Sequence, residues 1–245
     1  MKRRGLVLVG LLALAGAPVL AQTVAAKPQR IVVYGGSGAI GSRIVTEALA
    51  RGHEVTAVDR DPKQPAGPVN PKLKLVKGDA FDAADIGRNV AGKDVLITAV
   101  AVRPTPTRDF YVRLVKAMVE AQRSQKGKQA RLFVVGGASS LETGDGKRVV
   151  DTLPASLPEG SRNEILSMVD ALDYLRTVSD TSWTFFSPAA QIAPGTRTGR
   201  FRLGGDTLLK DEKGESRISM EDFAVATLDE IENPKYRNKR FTIAY

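Results

Sequence analysis

Glycine recurs at every third position in Gly35-Gly36-Ser37-Gly38-Ala39-Ile40-Gly41, and this stretch carries the clearest chemistry in the chain. It follows the apolar run Ile31-Val32-Val33-Tyr34 and leads into apolar residues at helical spacing: Ile40, Ile44, Val45, Ala48 and Leu49. A strand, a turn and a helix start in that order aim successive backbone N–H groups, and the positive end of a helix dipole, at one point. Such a point suits a pyrophosphate, and glycines let its oxygens approach the backbone. Gly35, Ser37, Gly38, Ala39, Ile40 and Gly41 are therefore candidate dinucleotide-binding residues. A plain strand-to-helix turn has the same order of elements. What favours the nucleotide is Asp59, eighteen positions after Gly41, where a carboxylate can accept from a ribose 2′-OH.

Other chemistries are poorly supplied. There is no Cys, which excludes disulfides and thiolate metal sites. The one His, His53, lies in Arg51-Gly52-His53-Glu54, a turn between the first helix and second strand, where a structural role is expected. Tyr111 and Tyr174 are followed four residues later by Val115 and Val178, so neither forms a Tyr-x-x-x-Lys pair for proton transfer. Basic residues crowd the C-terminal third (Arg197, Arg200, Arg202, Lys210, Lys235, Arg237, Lys239, Arg240) without interleaved aromatics. They read as a solvated face, or as an attraction for anionic substrates, and not as a nucleic-acid surface.

The elements that must position the glycine turn alternate regularly. Strands are expected at 30–34, 54–58, 73–77, 94–100, 131–136, 183–187 and 240–244, and helices at 39–51, 83–90, 109–125, 162–178 and 221–232. This alternation predicts an α/β fold: a single Rossmann-like, doubly wound, mainly parallel sheet over residues 30–245. Ile165, Met168, Val169, Leu172 and Leu175 form a helical stripe read as packing, and Trp183 and Phe185 read as strand core. Ser219-Met220-Glu221-Asp222 has capping-box form and predicts a helix start. The loops 141–161 and 191–218, the second with strand-like pieces at 200–203 and 207–210, are candidate walls of a ligand crevice.

Residues 1–21 read as a secretory signal peptide: basic Lys2-Arg3-Arg4, an apolar Leu6–Leu20 run, and Val19-Leu20-Ala21 before Gln22. An uncleaved anchor is the alternative. Cleavage would remove three cations, lower the formal charge from +9 to +6, and leave 22–29 as a tail without a membrane span in the mature chain. Export, to the periplasm, is the implied location. Arg3-Arg4-Gly5-Leu6-Val7 loosely resembles a twin-arginine signal, with Lys2 where Ser or Thr is usual, so that route and Sec both stay open.

Several blocks carry a family resemblance: the glycine turn; Arg51-Gly52-His53-Glu54-Val55-Thr56-Ala57; Lys77-Gly78-Asp79; Val134-Val135-Gly136-Gly137-Ala138-Ser139-Ser140-Leu141; Trp183-Thr184-Phe185-Phe186-Ser187-Pro188-Ala189; Pro194-Gly195-Thr196-Arg197-Thr198-Gly199; and Arg217 through Ala226. The chain resembles the atypical short-chain dehydrogenase/reductases described as NADH-flavin reductases, whose better-studied relatives are the biliverdin/flavin reductases. The resemblance runs over residues 30–245 and implies NAD(P)H as cofactor. It implies Asp79 and Ala80 beside the adenine, and Ala99, Val100 and Ala101 bordering the ribose and nicotinamide. Arg60 falls where many relatives place an arginine for the 2′-phosphate, whereas relatives often have an apolar residue at Asp59. NAD and NADP thus both stay open. Ser139 matches a serine near the nicotinamide, implied to orient the cofactor or donate a hydrogen bond.

Three functions follow as expectations. The first is an NAD(P)H-dependent oxidoreductase that reduces a flavin, or another small planar acceptor, by direct hydride transfer, with the protein stacking and orienting the partners. The second is a nucleotide-binding sensor or partner-binding module without turnover. The third is an isomerase or epimerase with a tightly held nicotinamide.

Overall fold

The computed structural model describes residues 27–63, 69–101 and 107–245. The expected signal peptide and the first part of the 22–29 tail lie outside the described residues. In chain order the elements are β1 (Arg30–Tyr34), α1 (Ala39–Ala50), β2 (Glu54–Asp59), β3 (Leu73–Lys77), α2 (Ala83–Val90), β4 (Val95–Thr98), α3 (Phe110–Arg123) and β5 (Arg131–Val135). A single-turn helix at Val149–Thr152 is followed by α4 (Glu159–Arg176), β6 (Trp183–Ser187), β7 (Gln191–Ala193), β8 (Arg202–Gly204), β9 (Arg217–Ser219), α5 (Met220–Glu232) and β10 (Lys239–Ala244).

Eight strands form one sheet in the order β3-β2-β1-β4-β5-β6-β10-β8. Every pairing is parallel except β8 with β10. This is the doubly wound, mainly parallel sheet expected from the alternation. Its strands are apolar on both faces because helices cover both. Side chains alternate across the sheet: Val32, Leu96, Val134 and Phe185 pack with α2, α3 and α4. Ile31, Val33, Ile97, Phe133 and Phe186 pack with α1 and α5. Trp183 and Phe185 are buried core residues, as their strand position predicts.

On the α1/α5 face, Phe186 stacks between Phe223 and Phe241 at centroid distances of 4.1 and 4.0 Å. Tyr236 continues the stack on Phe241 at 4.4 Å. Each such pair contributes about 0.5–1.5 kcal/mol beyond the area it buries, so the stack ties α5 to the β6–β10 end of the sheet. The other end of this layer is polar. Glu47 of α1 accepts from Arg51 and, bidentately, from Arg197, all at 2.8 Å, and these bonds hold its carboxyl below the usual carboxylate range. His53, fully buried, accepts the Gln29 amide at Nδ1 (3.1 Å), which leaves Nε2–H to donate to Glu232 (3.0 Å). The histidine is a bracket between the entry to β1 and the end of α5.

Some boundaries differ from the sequence pattern. Helix α4 begins at Glu159, not 162, because Pro158 fits the N-cap position with φ −54° and the helix needs no side-chain cap. Strand β4 stops at Thr98, short of residue 100, where the chain leaves the sheet. In 191–218 the pattern shows neither β7 nor β9, which pair in parallel outside the main sheet with Ile192 opposite Ile218. The piece at 200–203 becomes β8. The piece at 207–210 is not a strand; Thr207 only bridges to Glu142.

Under this layer Arg131 and Glu230 are 6% and 4% exposed, and their ion pair (3.3 Å) is reinforced by Arg131 Nη2 donating to the Glu230 carbonyl (3.0 Å). Glu230 also accepts the Lys235 and Tyr236 amides. Glu230→Ala strands a buried guanidinium and should cost about 3–5 kcal/mol in urea unfolding. Arg131→Met combined with Glu230→Leu should cost clearly less, because no unpaired charge remains.

Candidate functional site

The strand order reverses direction at β1 and β4: the chain leaves β1 toward β2 and later returns to place β4 on its other side. At the C-terminal ends of these strands, where open parallel sheets form their ligand crevice, lies a cavity of about 630 Å³. That is within the range of pockets for organic ligands.

The glycine turn forms one wall. Gly35 has φ +81°, and a Cβ there would lie 2.8 Å from the Ala99 backbone, so only glycine permits β1 and β4 to meet at this turn. A Cβ at Gly41 would lie 2.0 Å from the Gly35 carbonyl oxygen. Gly38 is different: its φ is −69°, and the nearest atom to an added Cβ is that same oxygen at 3.2 Å. Gly38 is the N-cap of α1, with no side-chain cap and no acidic residue in the first turn. The first amide bonded back across the start of the helix is Ser42, which donates to Gly38 O at 2.9 Å. The Ala39 and Ile40 segment ahead of it lines the crevice and is free to offer its amides to an anion.

Of the sequence-derived site residues, Gly35, Ser37, Gly38, Ala39, Ile40, Asp59, Arg60, Asp79, Ala80, Ala99, Val100 and Ala101 all line this crevice. Gly41 lies just behind it, as the contact that lets α1 start. Asp59 accepts the Ser37 amide at 2.9 Å, and partial burial pushes its carboxyl above the usual range despite that bond. Arg60 is exposed beside it. Asp79 Oδ1 accepts the Phe81 amide (2.9 Å), while the Asp79 amide donates to Asp85 (3.0 Å). The Tyr34 hydroxyl donates to the same Asp85 carboxylate at 3.2 Å and accepts from Asn89 at 3.0 Å. Burial raises the Tyr34 phenol far above its ordinary pKa, so it stays protonated at neutral pH. Gly78 makes the cluster possible, since a Cβ there would come within 2.5 Å of Asp85.

Ser139 is placed differently. It is buried, is not among the crevice-lining residues, and its hydroxyl donates to the Ile165 carbonyl of α4 at 3.2 Å. Residues 141–161, expected as a wall, do not line the crevice: Glu142 instead bonds the backbones of Asp206 and Leu208, bracing the turn after β8. From 191–218 only Ile192 contributes.

The far wall was not anticipated from sequence. Phe110 and Tyr111 open α3 and meet edge to face at 5.0 Å, and Phe110 meets Phe81 likewise at 5.0 Å. Met168 of α4, read as packing alone, spans both roles: it packs against the core and also lines the crevice, joined by Ile192 and Met220. No local signal marks Ile192 or Met220, since chain-distant elements bring them together. Among the described residues no lysine lines the crevice, and no acidic and histidine cluster could hold a metal ion. The crevice thus combines backbone amides suited to a phosphate with apolar side chains suited to a flat, apolar group.

Known proteins share the family and the fold. Residues 35–234 match a family model described as NAD(P)H-binding. The uncharacterized protein YwnB of Bacillus subtilis is 34% identical over 225 residues, covering 87% of this chain and 97% of that protein. A solved protein of Burkholderia pseudomallei, described as a candidate exported protein, is 42% identical, with TM-score 0.76 over 89% of this chain and all of that one (100%). A candidate epimerase of Bacteroides thetaiotaomicron is 37% identical, with TM-score 0.78 over 89% of this chain and 98% of its own. A candidate NADH-flavin reductase of Streptococcus pneumoniae is 31% identical, with TM-score 0.75 over 88% and 99%.

Gly38→Val tests the phosphate end. The site has room for the backbone but not for a ligand oxygen beside a branched side chain. We expect an unchanged far-UV circular dichroism spectrum and a loss of NADH affinity of about a hundredfold or more, the value of two charge-assisted hydrogen bonds. Fluorescence titration measures it; unaltered affinity would move the phosphate elsewhere.

Proposed function

The chain belongs to the NAD(P)H-binding family, and from that premise we propose that it is a reductase that passes hydride from NAD(P)H to a flavin or another small planar acceptor. The observation that carries this reading is the mixed lining of the crevice. Uncapped backbone amides at the start of α1 share one cavity with the apolar side chains of Met168, Ile192 and Met220 and the ring of Tyr111. When bound, NAD(P)H supplies the hydride. Gly38, Ala39 and Ile40 hold the pyrophosphate, while Asp59 and Arg60 face the adenosine ribose. Asp79 and Ala80 flank the adenine, and Ala99, Val100 and Ala101 border the nicotinamide side. The apolar wall excludes water and aligns the acceptor, so the protein acts chiefly by position.

Ser139 acts indirectly in this reading, by holding α4, and with it Met168, against the loop after β5. Epimerisation is less well served, because it needs groups that give and take protons. Tyr34 is bonded to Asp85 and Asn89, with its phenol pushed up by burial. Export belongs to the same proposal. It is supported by the N-terminal pattern and by the likeness to the Burkholderia pseudomallei protein.

Two outcomes test the reading. Steady-state assays with riboflavin, FMN and FAD should show NAD(P)H oxidation above the uncatalysed rate, with Ser139→Ala retaining most of it. Tight nucleotide binding with no acceptor reduced would replace the reductase with a nucleotide sensor. Arg60→Ala should weaken NADPH roughly tenfold to a hundredfold more than NADH, the worth of a charge-assisted phosphate contact. Equal losses would show that Arg60 does not read the 2′-phosphate.

A further inference from the structure

The acceptor-side wall rests on a small structure apart from the main sheet. Ile192 belongs to β7, and Met220 follows β9 directly as the first residue of α5. The two strands pair only with each other; Ile218 and Ile192 pack them on the core, and a polar anchor fixes the loop between them. That role falls to Asp222. It is fully buried, and its carboxylate accepts the Thr198 and Gly199 amides (both 2.8 Å), the Thr198 hydroxyl (2.6 Å) and the Tyr245 hydroxyl (2.8 Å).

The sequence pattern predicts that Asp222 completes a capping box by reaching back to the Ser219 amide. Half of the box forms: the Asp222 amide donates to Ser219 Oγ at 3.0 Å. The other half is replaced. The Ser219 amide donates to Tyr245 Oη (3.2 Å), and the Tyr245 hydroxyl in turn donates a hydrogen bond to Asp222 (2.8 Å). The Tyr245 amide also donates to the Arg217 carbonyl at 3.1 Å. The residue next to β10 thus bolts both ends of β9, while Asp222 holds the Thr198 turn that follows β7.

A capping carboxylate diverted from its own helix to four outside donors is an investment in the loop, not in the helix. We propose that Asp222, with Thr198 and Tyr245, is a positioning cluster for the acceptor: it fixes Ile192 and Met220 against the crevice and so sets acceptor affinity without touching acceptor or nucleotide. This rests on the reductase reading for its consequence but not for its geometry.

The test uses the full chain with Tyr245→Phe and Thr198→Val, which each delete one hydroxyl and keep the carboxylate; Asp222→Asn risks unfolding. Each variant should raise the KM for flavin roughly tenfold, as small misplacements of a binding wall do, with kcat and NADH affinity little changed. Glu230→Gln, on the same helix but far from the wall, is the control: it should lower the melting temperature and leave the acceptor KM alone. A KM unchanged in both cluster variants, or raised equally by Glu230→Gln, would reduce the cluster to a stabilising contact and overturn the proposal. If the wild-type protein neither reduces nor binds a flavin, the reductase reading fails by itself. Hydrogen exchange then decides the cluster: amides of 191–193 and 217–219 should exchange faster in both variants while 35–41 stays unchanged, and unaltered exchange at the wall refutes it.

Discussion

Three backbones meet at the end of β1 with no side chain between them. The turn at Gly35, the start of α1 at Gly41 and the departure of β4 at Ala99 approach so closely that a single added Cβ would sit 2.0–2.9 Å from main-chain atoms. This close approach is what the rest of the molecule depends on. It lets α1 begin directly over the sheet, leaves its first amides uncapped, and opens the crevice where β1 and β4 diverge. A Cβ on Gly35, Gly36 or Gly41 would come within 3 Å of a neighbouring atom, whereas one on Gly38 would not, and Gly38 lines the crevice.

The two faces of the sheet solve different problems. On one, α2, α3 and α4 close an apolar layer whose upper edge (Phe110, Tyr111, Met168) becomes crevice wall. On the other, charge joins α1 to α5 at the crevice end through Arg43 and Glu221 at 2.6 Å, and further along through Arg51 to Asp229 and Glu232, while Arg197 ties the loop after β7 to Glu47. These partly buried pairs register one helix against the other. The aromatic stack of Phe223, Phe186, Phe241 and Tyr236 supplies the cohesion. The two faces of the sheet are thus held by separate means beneath one crevice.

Much of this was legible in the sequence because it is local. The order of apolar run, glycine turn and helical stripe specified β1, the turn and α1, and strand–helix alternation specified the parallel sheet. Gly35, Ser37, Gly38, Ala39, Ile40, Asp59 and Arg60, which rest on those features, line one crevice, with Gly41 behind it. What could not be read depends on long-range pairing. Strands β7 and β9 are three residues each, too short for a period to show. Ile192 and Met220 look like any other apolar residues until β7 meets β9. Met168 fitted a core stripe and does serve the core; its second role comes from lying at the sheet's edge. Ser139, singled out by resemblance, turns its hydroxyl to Ile165, and no spacing rule reports a rotamer.

The sequence distance across the α1–α5 layer also has a kinetic meaning. His53 meets Glu232 and Glu47 meets Arg197 across 179 and 150 residues. Helix α1 therefore packs on β1 and β2 but lacks its helix partner α5 until nearly the last strand has been made. Closing contacts of such separation is slow, and during that interval the side of α1 that α5 later covers stays open. Early folding intermediates should thus be sticky along that side of α1, while the strands that carry the glycine turn pair among near neighbours in the chain.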